Sequence, residues 1–201
     1  MKDEMKISVE NAIKAYNGAD ANGKKMLEAL FGKEVFQPKD IRERIKTFED
    51  ACNALGDDNP LVLLYDVFQN EIATTDSNYG DTDVLAYLKL RIIVAALNEG
   101  WVPQFTEDEL RWYPYFWFYT KEEWDNFGDE VKKYGRVLGR SYSNGVVGGG
   151  LAYAGAGGAS LTSSTYFGSR LAFKSEDLAV YCGKQFSDIW IDFLIGCGHE
   201  E

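Results

Sequence analysis

Residues able to do covalent or metal chemistry are sparse in this chain. The one histidine, His199, stands three residues from the end of the 201-residue sequence, so neither a Ser–His nor a Cys–His dyad is expected. Cys52, Cys182 and Cys197 are far apart, odd in number and make no C-x-x-C pair. That spacing suits reduced thiols better than a disulfide framework or a zinc site. Carboxylates gather in "TKEEWDNFGDE", which reads as a capped, solvated helix, with an acid–base pair as the alternative. A second cluster, "TTDSNYGDTD" (Thr74 to Asp83), has oxygen ligands of the calcium type but not the D-x-D-x-D-G spacing. "GAGGAS" at 155–160 loosely resembles a dinucleotide loop, without the buried strand, following helix and acidic ribose ligand that such a loop needs. No catalytic residue, metal or cofactor is expected.

The composition limits the partners. A net charge of −11 opposes general nucleic-acid affinity and an anionic membrane surface, because both require clustered Lys and Arg. Hydrophobic residues make up 45% and aromatics 14%, ample for a core. "MKDEMKISVENA" has no apolar signal region, and "YLKLRIIVAALNEGW" is short and carries Lys89 and Arg91. The expectation is a protein that is cytoplasmic when synthesised, with no nucleic-acid or membrane partner.

The elements that must position any site divide into two textures. The first half is helical. Ser8 caps "VENAIKAY", and Met26, Leu27, Leu30 and Phe31 share a face that ends at Gly32. Ile41, Ile45, Phe48, Cys52 and Leu55 make one amphipathic stripe that stops at Gly56. "PLVLLYDVFQNEI" fits a buried strand or a short helix. Leu85, Leu88, Ile92 and Ala95 or Ala96 line a helix that ends at Gly100. Thr106–Glu109 and Thr120–Glu123 both match a capping box, and "RWYPYFWFYT" between them reads as a strand or extended core segment. Trp101, Trp112, Trp117 and Trp124 are assigned to the core, with a stacking platform as the alternative. From Tyr134 onward, "RVLGRSYS", "GGLAYAG" and "GSRLAFKS" read as three antiparallel strands. Ser175 then caps a last helix lined by Leu178, Tyr181, Cys182, Gln185, Ile189, Trp190 and Phe193. Helices first and strands late indicate an α+β fold.

Half of the chain's glycines lie between Gly135 and Gly168, and residues 141–169 carry no charge. Strand-like pieces interrupt this run, so it reads as folded rather than as a linker. It would present Tyr142, Ser143, Asn144, Val146, Val147, Tyr153, Ser160, Thr162, Ser164 and Tyr166. Tyr, Ser and Asn among glycines are the chemistry of adaptable binding surfaces. A small-residue surface with no partner is the plainer alternative.

The pattern "RVLGRSYSNG…GLAYA…FGSRLAF" resembles the C-terminal core of the C-type-lectin-like fold in its formylglycine-generating-enzyme-like branch. Arg136, Gly139, Ser141, Gly168, Arg170 and Leu171 match that skeleton, while Arg140 and Tyr142 depart from it. With "KTFEDACNALG", "LKLRIIVAALNEGW" and "SRLAFKSEDLAVYCGKQFSDIW" included, the chain is similar to variable proteins diversified by retroelements in gut bacteria and their phages. Residues 141–169 lack Lys, Glu, Gln, Met and Trp, which adenine-directed mutation of Asn codons cannot produce. The resemblance implies a helical region at 1–58 and a C-type-lectin-like domain at 59–201 with a variable surface near 140–168. It also implies a non-enzymatic receptor-binding role, as in a phage tail or other virion component. The partner would be a protein or glycan receptor on a cell surface, and a homo-oligomer is compatible. Two alternatives stay open: a degenerate enzyme of the same superfamily, and a structural virion or assembly protein.

Overall fold

The computed structural model describes residues 7–74, 82–138, 148–160 and 168–195. It forms two compact units, Met1–Arg44 and Ile45–Glu201, whereas the sequence expectation placed a boundary at residue 58.

The first unit is helical. Helix α1 (Val9–Gly18) begins where the Ser8 hydroxyl accepts from the Asn11 N–H, as the sequence suggested. Asp20 caps α2 (Ala21–Phe31) in the same way, and Gly32 ends it at φ +86°. Tyr16 stacks on Phe36 at 4.3 Å, and its hydroxyl donates to Glu28 at 2.5 Å. A short helix, α3 (Ile41–Arg44), closes the unit.

The stripe expected to run unbroken from Ile41 to Leu55 is interrupted. Thr47 adopts extended backbone, accepts from the Asp50 N–H, and donates its own N–H to the Asp50 carboxylate. That reciprocal cap starts a separate helix, α4 (Phe48–Leu55). The segment left open at 60–74 is helix α5 (Pro60–Thr74). Helix α6 (Thr82–Asn98) is the centre of the second unit. Leu88, Leu90, Ile92, Ile93, Val94, Ala96 and Leu97 are all buried, so it is enclosed on more sides than the expected single stripe. Helices α4 and α5 pack on it from one side, with Phe48 edge-on to Tyr65 at 4.8 Å.

After α6 comes β1 (Arg111–Tyr119), then two short helices, α7 (Lys121–Asn126) and α8 (Asp129–Lys132), and then β2 (Gly135–Val137) and β3 (Gly150–Ala159). The strands form one antiparallel sheet in the order β1-β3-β2, so the fold is α+β as the sequence indicated. The Thr120–Glu123 capping box is present at the start of α7. The one expected at Thr106–Glu109 caps no helix: the Glu109 carboxylate accepts from the Gln104 and Phe105 N–H groups and closes a loop instead.

The third expected strand, at "GSRLAF", is a 3-10 turn (Ser169–Leu171) followed by a single bridge from Phe173 to Trp112. The expected last helix is two, α9 (Glu176–Gln185) and α10 (Ser187–Ile195), because Phe186 leaves helical geometry at φ −118°, ψ 31°. Both pack on one face of the sheet, where Trp190, Ile191, Leu151 and Leu138 are fully buried. Arg136 ties β2 to α10 through Asp192 at 2.6 Å.

Candidate functional site: the outer face of the sheet

Strand side chains alternate between faces, and the pairing register shows which face each one takes. Phe116 lies 5.9 Å from the Tyr153 ring and 6.4 Å from Trp190, so it points toward the helices. Tyr113, Tyr115, Trp117 and Tyr119 therefore point the other way. The register shift at Tyr115/Phe116 sets Ala154 aside as an extra residue, so Tyr113, Tyr115, Trp117 and Tyr119 face Gly157, Gly155, Ala152 and Gly150. A row of four aromatics thus stands beside a row with almost no side chain.

Packing requires the bare row at Gly150 and Gly155 but not at Gly157. A Cβ on Gly150 would fall on the Trp124 indole, which α7 lays over that end of the sheet. A Cβ on Gly155 would meet the Tyr115 hydroxyl at 2.6 Å. At Gly157 a Cβ would meet nothing within 4 Å. The exposed part of the face is small: Trp117 is 60% exposed and Tyr115 45%, while Tyr113 and Ala152 are buried. Trp124 joins the core as expected, but Trp117 does not.

The expected binding residues separate on this frame. Tyr142, Ser143, Asn144, Val146, Val147, Thr162, Ser164 and Tyr166 lie outside the described residues. Tyr153 is half-buried on the helix-covered face, with the Lys184 ammonium 5.6 Å from its ring, and burial raises its hydroxyl pKa. It belongs to the packing of β3 rather than to the open face. Ser160 lies where the chain leaves β3, and its carbonyl accepts from the Arg111 guanidinium.

The described backbone on either side of the two small-residue segments is held by hydrogen bonds. Leu138 and Gly148–Gly149 close the β2–β3 connection, with the Leu138 N–H donating to the Gly149 carbonyl and the Gly148 N–H to the Leu138 carbonyl, both at 2.9 Å. Past the other end of β3, Phe173 exchanges both backbone hydrogen bonds with Trp112, at 2.9 and 3.0 Å. The buried Asn98 side chain donates to the Ala172 carbonyl at 2.8 Å and accepts from the Lys174 N–H at 3.1 Å. Segments 139–147 and 161–167 therefore join β3 at opposite ends, about 30 Å apart along the strand. The exposed Tyr115 and Trp117 lie between those ends.

The sequence reading missed Tyr115 and Trp117 as surface residues. Every position from Trp112 to Tyr119 except Pro114 is aromatic, so the period-2 alternation that separates an open face from a covered one has no polar residue to mark it.

The chemical groups considered at the outset are placed as follows. Cys182 is fully buried beside Trp190, and burial pushes its thiol pKa up to about 12. Cys52 is half-buried, and burial together with the nearby Asp66 raises its pKa. Cys197, His199 and most of the Thr74–Asp83 cluster lie outside the described residues. Within "TKEEWDNFGDE", Lys121 pairs with Asp125 at 2.7 Å on a capped, exposed helix. No cluster of three potential metal ligands occurs among the described residues. None of their helices is long and apolar enough to cross a membrane. Comparison with known proteins gives no match to a family model, a curated protein or a solved structure.

Proposed function

We propose that this chain is a non-enzymatic recognition protein whose contact surface is the outer face of the sheet and the two small-residue segments joined to β3. The observation that carries the reading is the open Tyr115–Trp117 row beside a strand of glycine and alanine, set between two hydrogen-bonded anchor points. Rigid aromatics supply contact area at little entropic cost, and Gly155 and Gly157 beside Tyr115 let a partner approach the backbone closely. The flanking segments, rich in Ser, Thr, Tyr, Asn and Gly with Arg140 as their one charged residue, would supply adaptable hydrogen bonds. The partner class is a protein or glycan receptor on a cell surface. The C-type-lectin-like scaffold, diversification of 140–168 and a phage-tail or virion setting belong to this proposal and rest on the sequence resemblance.

The test uses two variants of the full chain. One is Tyr115→Ser with Trp117→Ala, and the other replaces Tyr142, Ser143, Asn144, Thr162, Ser164 and Tyr166 with Ala. Labelled protein is applied to intact bacterial cells and to an immobilised glycan panel. Both variants are expected to lose binding while their melting temperatures stay within a few degrees of the parent. Binding that survives both sets of changes overturns the assignment.

A further inference from the structure

A second site lies away from the sheet face. A cleft of about 350 Å³ opens between one side of α6, the loop 101–105 and the Ser169–Leu171 turn. Apolar and aromatic side chains, Val94, Trp101, Val102 and Phe105 among them, share its lining with polar groups that include two cations, Arg91 and Arg170. Among the described residues neither guanidinium has a hydrogen bond or an ion pair. Arg91 lies 5.8 Å from the Tyr87 ring, and Arg170 is exposed.

The nearby carboxylates are engaged elsewhere. Glu99 pairs with Lys174 at 3.2 Å, and Glu109 accepts from the backbone of Gln104 and Phe105 beside the buried Arg111. Arg91 and Arg170 thus line one cleft with no acidic partner among the described residues.

The walls are also preformed. Arg91, Val94, Ala95 and Asn98 follow three- and four-residue spacing along the central helix and so share a face. Arg170 sits on the turn held by Asn98, through the Ala172 carbonyl and the Lys174 N–H. Phe105 holds a positive φ of 59°, and Arg111 stacks on its ring at 4.1 Å. A strained backbone fixed by its surroundings is common where a ligand is gripped.

We infer that this cleft binds a small organic carboxylate with an apolar body, its head held by Arg91 and Arg170 and its aryl or short alkyl part lying against Trp101 and Phe105. A planar carboxylate matches the guanidinium fork, and a cleft of this size accommodates a fragment-sized ligand. The cleft shares no residue with the recognition face, so failure of either reading leaves the other standing.

Isothermal calorimetry on the full chain tests it, with phenylacetate and hexanoate as probes, their neutral amides as controls, and inorganic phosphate as a head-group control. The acids are expected to bind saturably and about tenfold more tightly than the amides. Arg91→Gln and Arg170→Gln should each weaken the acids by about tenfold, with the amides and the melting temperature unchanged. The inference is overturned if the acids show no saturation into the millimolar range, or bind no better than the amides. Undiminished acid affinity in the R91Q/R170Q double variant, or phosphate binding as tightly as the acids, overturns it too.

Discussion

Two glycines of β3 separate what packing demands from what it only permits. Gly150 lies under the Trp124 indole, where even a methyl group has no space, and Trp124 is itself buried. Gly150→Ala must therefore displace Trp124 or bend the strand, and overpacking of this kind costs about 1–3 kcal/mol. A Cβ at Gly157 meets nothing, so Gly157→Ala should be neutral or stabilise by about 0.5–1 kcal/mol, through lost chain entropy in the unfolded state. Denaturant midpoints with unchanged m-values would measure both. Equal effects at the two positions would mean that Trp124 does not close that end of the sheet. The pair also bears on recognition, since Gly157 lies on the outer face and Gly150 lies beneath its cover.

At the scale of elements, one hydrogen-bonded cap overrides a long periodic pattern. Ile41, Ile45, Phe48, Cys52 and Leu55 satisfy helical spacing without a gap, yet Thr47 and Asp50 stop one helix and start another. Thr47→Ala is expected to destabilise by about 1 kcal/mol, read from thermal or chemical unfolding. The Lys46 and Thr47 N–H groups lower the Asp50 pKa below its ordinary 3.8. Its contribution is therefore complete above that value and is lost as pH falls through the lowered one. A Thr47→Ala protein as stable as the parent would leave the break without a cause. The same contest between local and longer-range forces explains what was legible in the sequence. Caps at Ser8, Thr120 and Ser175 and stops at Gly32 and Gly56 could be read because each depends on residues a few positions away. "GSRLAF" looked like a strand because its composition is strand-like, but its backbone is held by Asn98 and Trp112, which are remote in sequence. The open aromatic row and the arginine cleft were not legible for the same reason. The first needs the register of β1 against β3, and the second needs α6, the 101–105 loop and the 169–171 turn to meet.

For the whole molecule, net charge sets the response to salt and pH. The described ion pairs Lys14–Glu10, Lys121–Asp125 and Lys133–Glu130 are exposed and local, and such pairs contribute little. The net charge of −11 is spread over the rest, so at neutral pH self-repulsion outweighs their attraction. Raising ionic strength from about 0.02 to 0.3 M shortens the Debye length to a few ångströms and should raise the melting temperature at pH 7. Near the isoelectric point of about 4.6 the same addition should have little effect or the opposite one. Two groups limit the stable range. Hydrogen bonds from Arg42 lower Asp40 from 3.8 to about 2, so its contribution is complete above 3.8 and fades as pH falls toward 2. Burial raises Cys182 from 9.0 to about 12, so the folded state keeps a proton that the unfolded chain releases. Stability therefore declines as pH climbs from 9 toward 12, and Cys182→Ala should flatten that decline. A melting temperature that falls with salt at pH 7 would show that specific ion pairs, not net repulsion, govern this surface.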